Sequence, residues 1–218
     1  MKRTLLTAAF AALTLGAVQA TEVSWTNVTG TLPSSTQSAN RQTVDLSSYT
    51  TQGTWSAAFT MTLTNVDLTN GASWPVLFGI GGSTDDPRFA FDRKGDRKLV
   101  FSDGSGHSSG LANATDTGIT IATGEDLTID VIIAVTGLQA SVYFNGASET
   151  NLTFTLQNVN PKQLTFGGQN TSSQLLSSIA DWEVSNLRVA DGQAIPEPTA
   201  LALLALGVAG VALRRRVA

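Results

Sequence analysis

Residues 127–146 read Leu-Thr-Ile-Asp-Val-Ile-Ile-Ala-Val-Thr-Gly-Leu-Gln-Ala-Ser-Val-Tyr-Phe-Asn-Gly. Apolar side chains recur at Leu127, Ile129, Val131, Ile133 and Val135, with Ile132 and Ala134 adding apolar character to the other face. A second run follows on even positions, at Leu138, Ala140, Val142 and Phe144. A period of two is the mark of a strand with one face on a core. Thr136-Gly137 is short enough to turn the first strand back on the second, and Asn145-Gly146 ends the pair.

The same alternation extends outward in both directions. Upstream, Trp55, Ala57, Phe59, Met61 and Leu63 alternate with positions that are mostly Ser and Thr, which predicts a half-buried strand with one wet face. Downstream come Leu152, Phe154 and Leu156, then Leu164 and Phe166. Asn70-Gly71, Gly81-Gly82, Asp103-Gly104 and Gly167-Gly168 punctuate these runs as turns. No long helical period precedes residue 199. Many short strands with regular turns predict an all-β sandwich or barrel.

The two ends differ in kind from this middle. Lys2 and Arg3, an apolar stretch from Leu5 to Val18, and Val18-Gln19-Ala20 form in order the three regions of a secretory signal peptide over 1–20. The alternative is a buried N-terminal helix. At the other end, Ile195-Pro196-Glu197-Pro198 precedes an apolar run from Leu201 to Leu213, then Arg214, Arg215 and Arg216. The prolines break any preceding element. The run falls short of the ~20 residues that span a bilayer comfortably, although Thr199 and Ala200 extend it. The arginines would stay in the cytoplasm, which places residues 21–194 outside.

Composition narrows the function classes. The chain has 218 residues, no cysteine and a net charge of -4. Five of the thirteen basic residues lie in the end segments, while all seventeen acidic residues lie between Glu22 and Glu197. Residues 22–197 therefore carry 8 minus 17, or -9. That excludes the basic footprint a nucleic-acid partner requires. Without cysteine there is neither a disulfide framework nor a thiolate metal site, so the core alone must hold the domain. Roughly 175 residues are enough for one such core.

The C-terminal order of Pro196, Glu197 and Pro198, apolar helix and arginine cluster resembles the PEP-CTERM sorting signal over 195–218. That resemblance implies recognition by an exosortase-type enzyme, retention in the inner membrane through the helix, and delivery to the cell surface or matrix. A plain C-terminal membrane anchor is the alternative. With the N-terminal segment, it implies signal peptidase as a further processing partner.

The middle resembles the laminin-G-like, concanavalin-A-like jelly rolls. Ala140-Ser141-Val142-Tyr143-Phe144-Asn145-Gly146 is similar to their signature strand ending in a Tyr-x-Asn-Gly turn. Leu164-Thr165-Phe166-Gly167-Gly168 is similar to their strand ending in glycines, and Trp182 to Val189 to their closing strand. Phe59 to Leu63 and Val76 to Gly82 fit the early strands. The resemblance implies a two-sheet antiparallel sandwich over 21–194. In the closing strand Trp182 and Val184 share one parity, Leu187 and Val189 the other, which predicts a bulge near Ser185-Asn186.

Such a fold hosts glycosidases, lectins and adhesion modules alike, so the site must choose between them. The related hydrolases place carboxylates on alternate strand residues, and Asp181 with Glu183 is the pair here with that spacing. Facing outward opposite Trp182 and Val184, they also read as a solvated strand face. Asp92 with Asp96 and Asp126 with Asp130 are four apart and give no reason for catalysis. His107, the one histidine, stands in a Gly/Ser-rich loop without a nucleophile elbow in view.

The resemblance also implies a rim calcium, for which Asp85 and Asp86 are candidate ligands. Their alternative is an Asp-favoured turn, with Asp86 near Arg88. Trp74 is a candidate sugar-stacking ring at a loop mouth, or an aromatic closing the core end. Trp55 and Trp182 read as core. Asn27, Asn113, Asn151 and Asn170 begin glycosylation sequons that a Ser/Thr-rich chain produces by chance. The expectation is a non-catalytic surface protein that binds glycan or exopolysaccharide, with no obligatory cofactor. The alternatives are a glycoside hydrolase using Asp181 and Glu183, and a structural coat or filament subunit.

Overall fold

The computed structural model describes residues 23–38, 40–50, 53–69, 74–81, 87–92, 97–102, 115–144, 151–156, 162–168 and 175–194. Both terminal segments lie outside these residues, as do Asp85, Asp86, Asp96, His107, Asn113 and Asn170. The strands are β1 (Thr26–Asn27), β2 (Gln42–Asp45), β3 (Thr54–Thr64), β4 (Val76–Ile80), β5 (Arg88–Phe91) and β6 (Arg97–Ser102). They continue with β7 (Thr115–Ile121), β8 (Leu127–Thr136), β9 (Gln139–Phe144), β10 (Asn151–Thr155), β11 (Gln163–Phe166) and β12 (Asp181–Asp191). Among the described residues the one helix is a 3-10 turn at Leu176–Ser178.

Two six-stranded sheets form, in the orders β1-β12-β3-β8-β9-β10 and β2-β11-β4-β5-β6-β7. Every pairing is antiparallel. Non-consecutive neighbours such as β12 and β3 show that the chain shuttles between the sheets. This is the expected two-sheet jelly-roll sandwich.

The odd residues of β3 and β8 face inward, and Met61, Leu63, Ile129 and Ile133 are fully buried. Phenylalanine rings join the two sheets across this space. Phe59 of the first sheet meets Phe78 and Phe166 of the second edge-on, at 5.3 and 5.1 Å between centroids. Phe78 stacks on Phe89 at 4.6 Å, and Phe144 reaches Phe89 from across the interface at 5.4 Å. Such geometries add to the area these rings bury.

The predicted hairpin forms, with Thr136 opposite Gln139 as the last pair before the turn. Gly137 takes φ +59° at the first central position of the two-residue loop, where a tight hairpin turn favours glycine. Leu138 is therefore part of the turn and 44% exposed, not the first inward residue of β9. Its parity matched the strand, but the ladder begins one residue later.

The predicted bulge in the closing strand is also present. Ser185 pairs with Thr60 and Arg188 with Ala58, so three steps on β12 match two on β3. Asn186 takes φ +54° there. Asn tolerates that left-handed conformation better than most residues. The wet face expected on β3 is only partly wet. Ser56 and Ala58 are buried, Ser56 because the segment after β12 crosses over it. The Ser56 hydroxyl donates to the Gly192 carbonyl at 2.8 Å and accepts from the Ala194 N–H at 2.7 Å.

Three carboxylates, those of exposed Asp45 and Asp116 and half-buried Asp67, are held below their ordinary pKa by hydrogen bonds. The Ser47 hydroxyl and N–H do this for Asp45, and the Thr69 hydroxyl and N–H for Asp67. For Asp116 the causes are the Lys98 ammonium, at 2.7 Å, and the Gly118 N–H. A lowered folded pKa means that the unfolded chain binds more protons in acid. The stability these groups contribute is present above the ordinary carboxylate value and is lost as pH falls through the folded pKa. Urea midpoints are expected to hold from neutral pH to about pH 5 and to drop by about pH 3. A flat profile across that range would remove these turns from the account.

Candidate functional site

The outer face of the first sheet carries two open cavities one after the other along β12 and β3, which together form a groove lined by polar and apolar groups alike. The bulge builds its centre. Leu187 points into the core, while Asn186 and Arg188 both turn outward. A bulge re-aims side chains in this way without breaking the strand. Asn186 Nδ2 reaches the Thr60 hydroxyl at 3.4 Å, and that hydroxyl donates to Asp130 Oδ1 at 2.7 Å. The result is an amide, a hydroxyl and a carboxylate in a line across three strands.

These groups surround an open cavity of about 460 Å³, with Asn27 of β1, Ile132 of β8 and Arg188 on its walls. Trp25, half-buried beside β1, lies against the Arg188 guanidinium with 4.8 Å from Cζ to the ring centroid. A cation over an indole face at that distance is attracted by the ring quadrupole.

Further along the same strands lies a second open cavity of about 460 Å³, lined by Asp181, Glu183, Thr62, Thr64 and the Ser34–Thr36 segment. Ser34 forms an isolated bridge to Glu183, and the Ser35 hydroxyl accepts from the Trp182 N–H at 3.0 Å. These contacts pin the segment as a wall. Asp181 accepts from Asn65 Nδ2 at 2.8 Å. Asp181 and Glu183 are both exposed, on alternate residues of one strand, about 7 Å apart along it. From Ala58 to Thr64 the two cavities together follow β3 for about 20 Å.

The structure brings Asp181 and Glu183 together and joins Asp130 to the other half of the groove. Asp126 is exposed outside it. Trp74 is half-buried just before β4 and lines neither cavity. Asp85 and Asp86 lie outside the described residues. Among the described residues no three His, Cys, Asp or Glu side chains gather to hold a metal ion. Sequence reasoning missed Trp25, Arg188, Asn186 and Thr60. The one signal pointing there was the parity change in β12, which predicts a bulge but not what stands opposite it.

No curated protein matches the chain in sequence. Solved structures similar to it include polysaccharide lyase family 18 aly-SJ02 r-CATD, at 10% identity and TM-score 0.45, covering 70% of this chain and 79% of that one. Domain 4 of the extracellular arabinanase AbnA from Geobacillus stearothermophilus, in complex with arabinotriose, is 17% identical with TM-score 0.38. It is matched over 67% of this chain and 65% of its own length. A Trypanosoma rangeli sialidase is 16% identical with TM-score 0.39, over 66% of this chain and 21% of its own. The chain thus spans less than two thirds of the arabinanase domain and about a fifth of the sialidase. Among the described residues no helix is long and apolar enough to cross a membrane. A family description matches at the C-terminal end, and it implies export followed by exosortase-type processing. Residues 194–216 of this chain are a PEP-CTERM protein-sorting motif.

Proposed function

We propose that this is a non-catalytic surface or matrix protein that binds glycan along the outer groove of the first sheet. In this reading signal peptidase removes residues 1–20. The C-terminal helix then holds the chain in the inner membrane, domain outward, until an exosortase-type enzyme processes the tail. The observation that carries the binding reading is the line of Asn186, Thr60 and Asp130 in an open cavity beside Arg188 and Trp25. Sugars offer hydroxyl donors and acceptors at fixed spacing, and a row of oriented amide, hydroxyl and carboxylate groups complements them.

The test is polysaccharide pull-down with the full-length chain, with and without calcium. Asp130→Asn and Thr60→Val are expected to weaken capture roughly tenfold each, since the first removes the charge that strengthens the acceptor and the second removes the hydroxyl itself. Failure to capture any cell-surface polymer would overturn the reading.

A second reading is favoured by one observation. Asp181 and Glu183 line the same open cavity, at a spacing within the range that glycoside hydrolysis requires. Hydrolysis on a polysaccharide panel that vanishes in Glu183→Gln would establish it. Silence of the parent chain across the panel would sink it.

A further inference from the structure

Arg188 is a cation with an open side. Arg88 and Arg97 are buried, and Lys98 is paired with Asp116. Arg188 is exposed on the groove wall and makes no ion pair with any described residue. Its Cζ lies over the Trp25 ring, 4.8 Å from the centroid. An indole ring offers the guanidinium no conventional hydrogen-bond acceptor, so the contact leaves its N–H donors for a planar anion, which they grip by two parallel bonds. The contact also limits the rotamers of a long side chain, so less freedom is lost when a ligand binds.

The opposite end of the groove has the opposite sign. Glu183 lies about 15 Å from Arg188 along β12, and Asp181 lies beyond it. Two exposed carboxylates repel an anion and accept hydroxyl donors. The groove between them is neutral apart from Asp130, which accepts from Thr60.

We infer that the groove takes a glycan whose acidic sugars are separated by neutral ones, with one sugar carboxylate on Arg188 and neutral sugar hydroxyls on Asp181 and Glu183. This rests on the glycan-binding reading above and adds the ligand's charge pattern to it. A polymer acidic at every sugar meets repulsion at Glu183. A wholly neutral one leaves the Arg188 fork unfilled.

Three oligosaccharide probes of equal length test this with the full-length chain. They are deacylated gellan with one uronate per four sugars, carboxyl-reduced gellan, and polygalacturonate. Gellan is expected to bind roughly tenfold tighter than either of the others. Arg188→Gln is expected to erase its advantage over the reduced form, and Arg188→Lys to keep part of it. Glu183→Gln is expected to narrow the gap to polygalacturonate. Unchanged melting temperatures in all three variants show that the fold is retained, as their exposure implies. Equal binding of native and carboxyl-reduced gellan overturns the inference and leaves glycan binding standing. So does an unchanged preference in Arg188→Gln. No binding of any probe, or of any polymer in the wider panel, overturns both.

Discussion

Gly167→Ala is expected to lose about 2–5 kcal/mol of stability. Gly167 takes φ +78° at the end of β11, a conformation that costs a side-chain-bearing residue about 1–2 kcal/mol. A Cβ placed there would lie 2.0 Å from Cζ2 of Trp182, inside the indole ring. Trp182 is buried in β12 of the opposite sheet, so the ring is held by its neighbours in the core. Among the described residues its Nε1 finds no acceptor, so shape and not a hydrogen bond holds the ring in place. Overpacking of this kind adds about 1–3 kcal/mol. For a domain of this size the melting temperature is expected to fall on the order of 10 °C, read by tryptophan fluorescence. In a Trp182→Leu background the added methyl has space, and its cost is expected to shrink toward the backbone part alone. A Gly167→Ala protein melting within a degree or two of its parent would contradict the close approach.

Phe89→Ala is expected to cost about 3–5 kcal/mol. Phe89 is fully buried and touches four rings: Phe78, Phe101, Phe144 and Phe154. Phe144 and Phe154 belong to the other sheet, so truncation opens a cavity across the sandwich interface. Neighbours held by two ladders collapse into it only partly. Phe154 lies at the margin of the cluster on the edge strand β10 and is half-buried. Phe154→Ala is therefore expected to cost clearly less. Urea denaturation with an unchanged slope reads both as shifts in midpoint. Equal losses at the two positions would show that the rings do not form the graded cluster described.

The strands legible in the sequence are those whose outer face is polar. β3, β8, β9 and β12 alternate because one side meets the core and the other Ser, Thr, Asp and Glu. β5 reads Arg-Phe-Ala-Phe and is buried at all four positions. β4 is buried at all five. A strand covered on both faces loses its alternation, and the second sheet is built largely of such strands. The groove was half legible for a related reason. Asp181 and Glu183 are two residues apart, so their spacing could be read directly. Trp25 and Arg188 stand at opposite ends of the domain and meet only because β1 pairs with β12. Local pattern contains nothing about that pairing. Trp74 attracted attention as a tryptophan near a turn, while Trp25 stands just before a strand of two residues, too short for any periodicity to show.

The crossing of Gly192–Ala194 over Ser56 has a mechanical consequence. The sorting motif begins at residue 194, where the chain is fastened by the Ser56 hydroxyl on both sides. Any pull arriving through the tail first meets this cleat and then β12. That strand lies between β1 and β3 and is bonded to β3 along almost its whole length. Tension drawn along it must shear many hydrogen bonds at once, whereas the edge strand of a sheet can be peeled one bond at a time. A ligand bound in the groove as proposed would take hold of β12 and β3 and of β8. The load path from the tail to such a ligand would therefore run through β12 and its neighbours in the first sheet, and the second sheet would carry little of it.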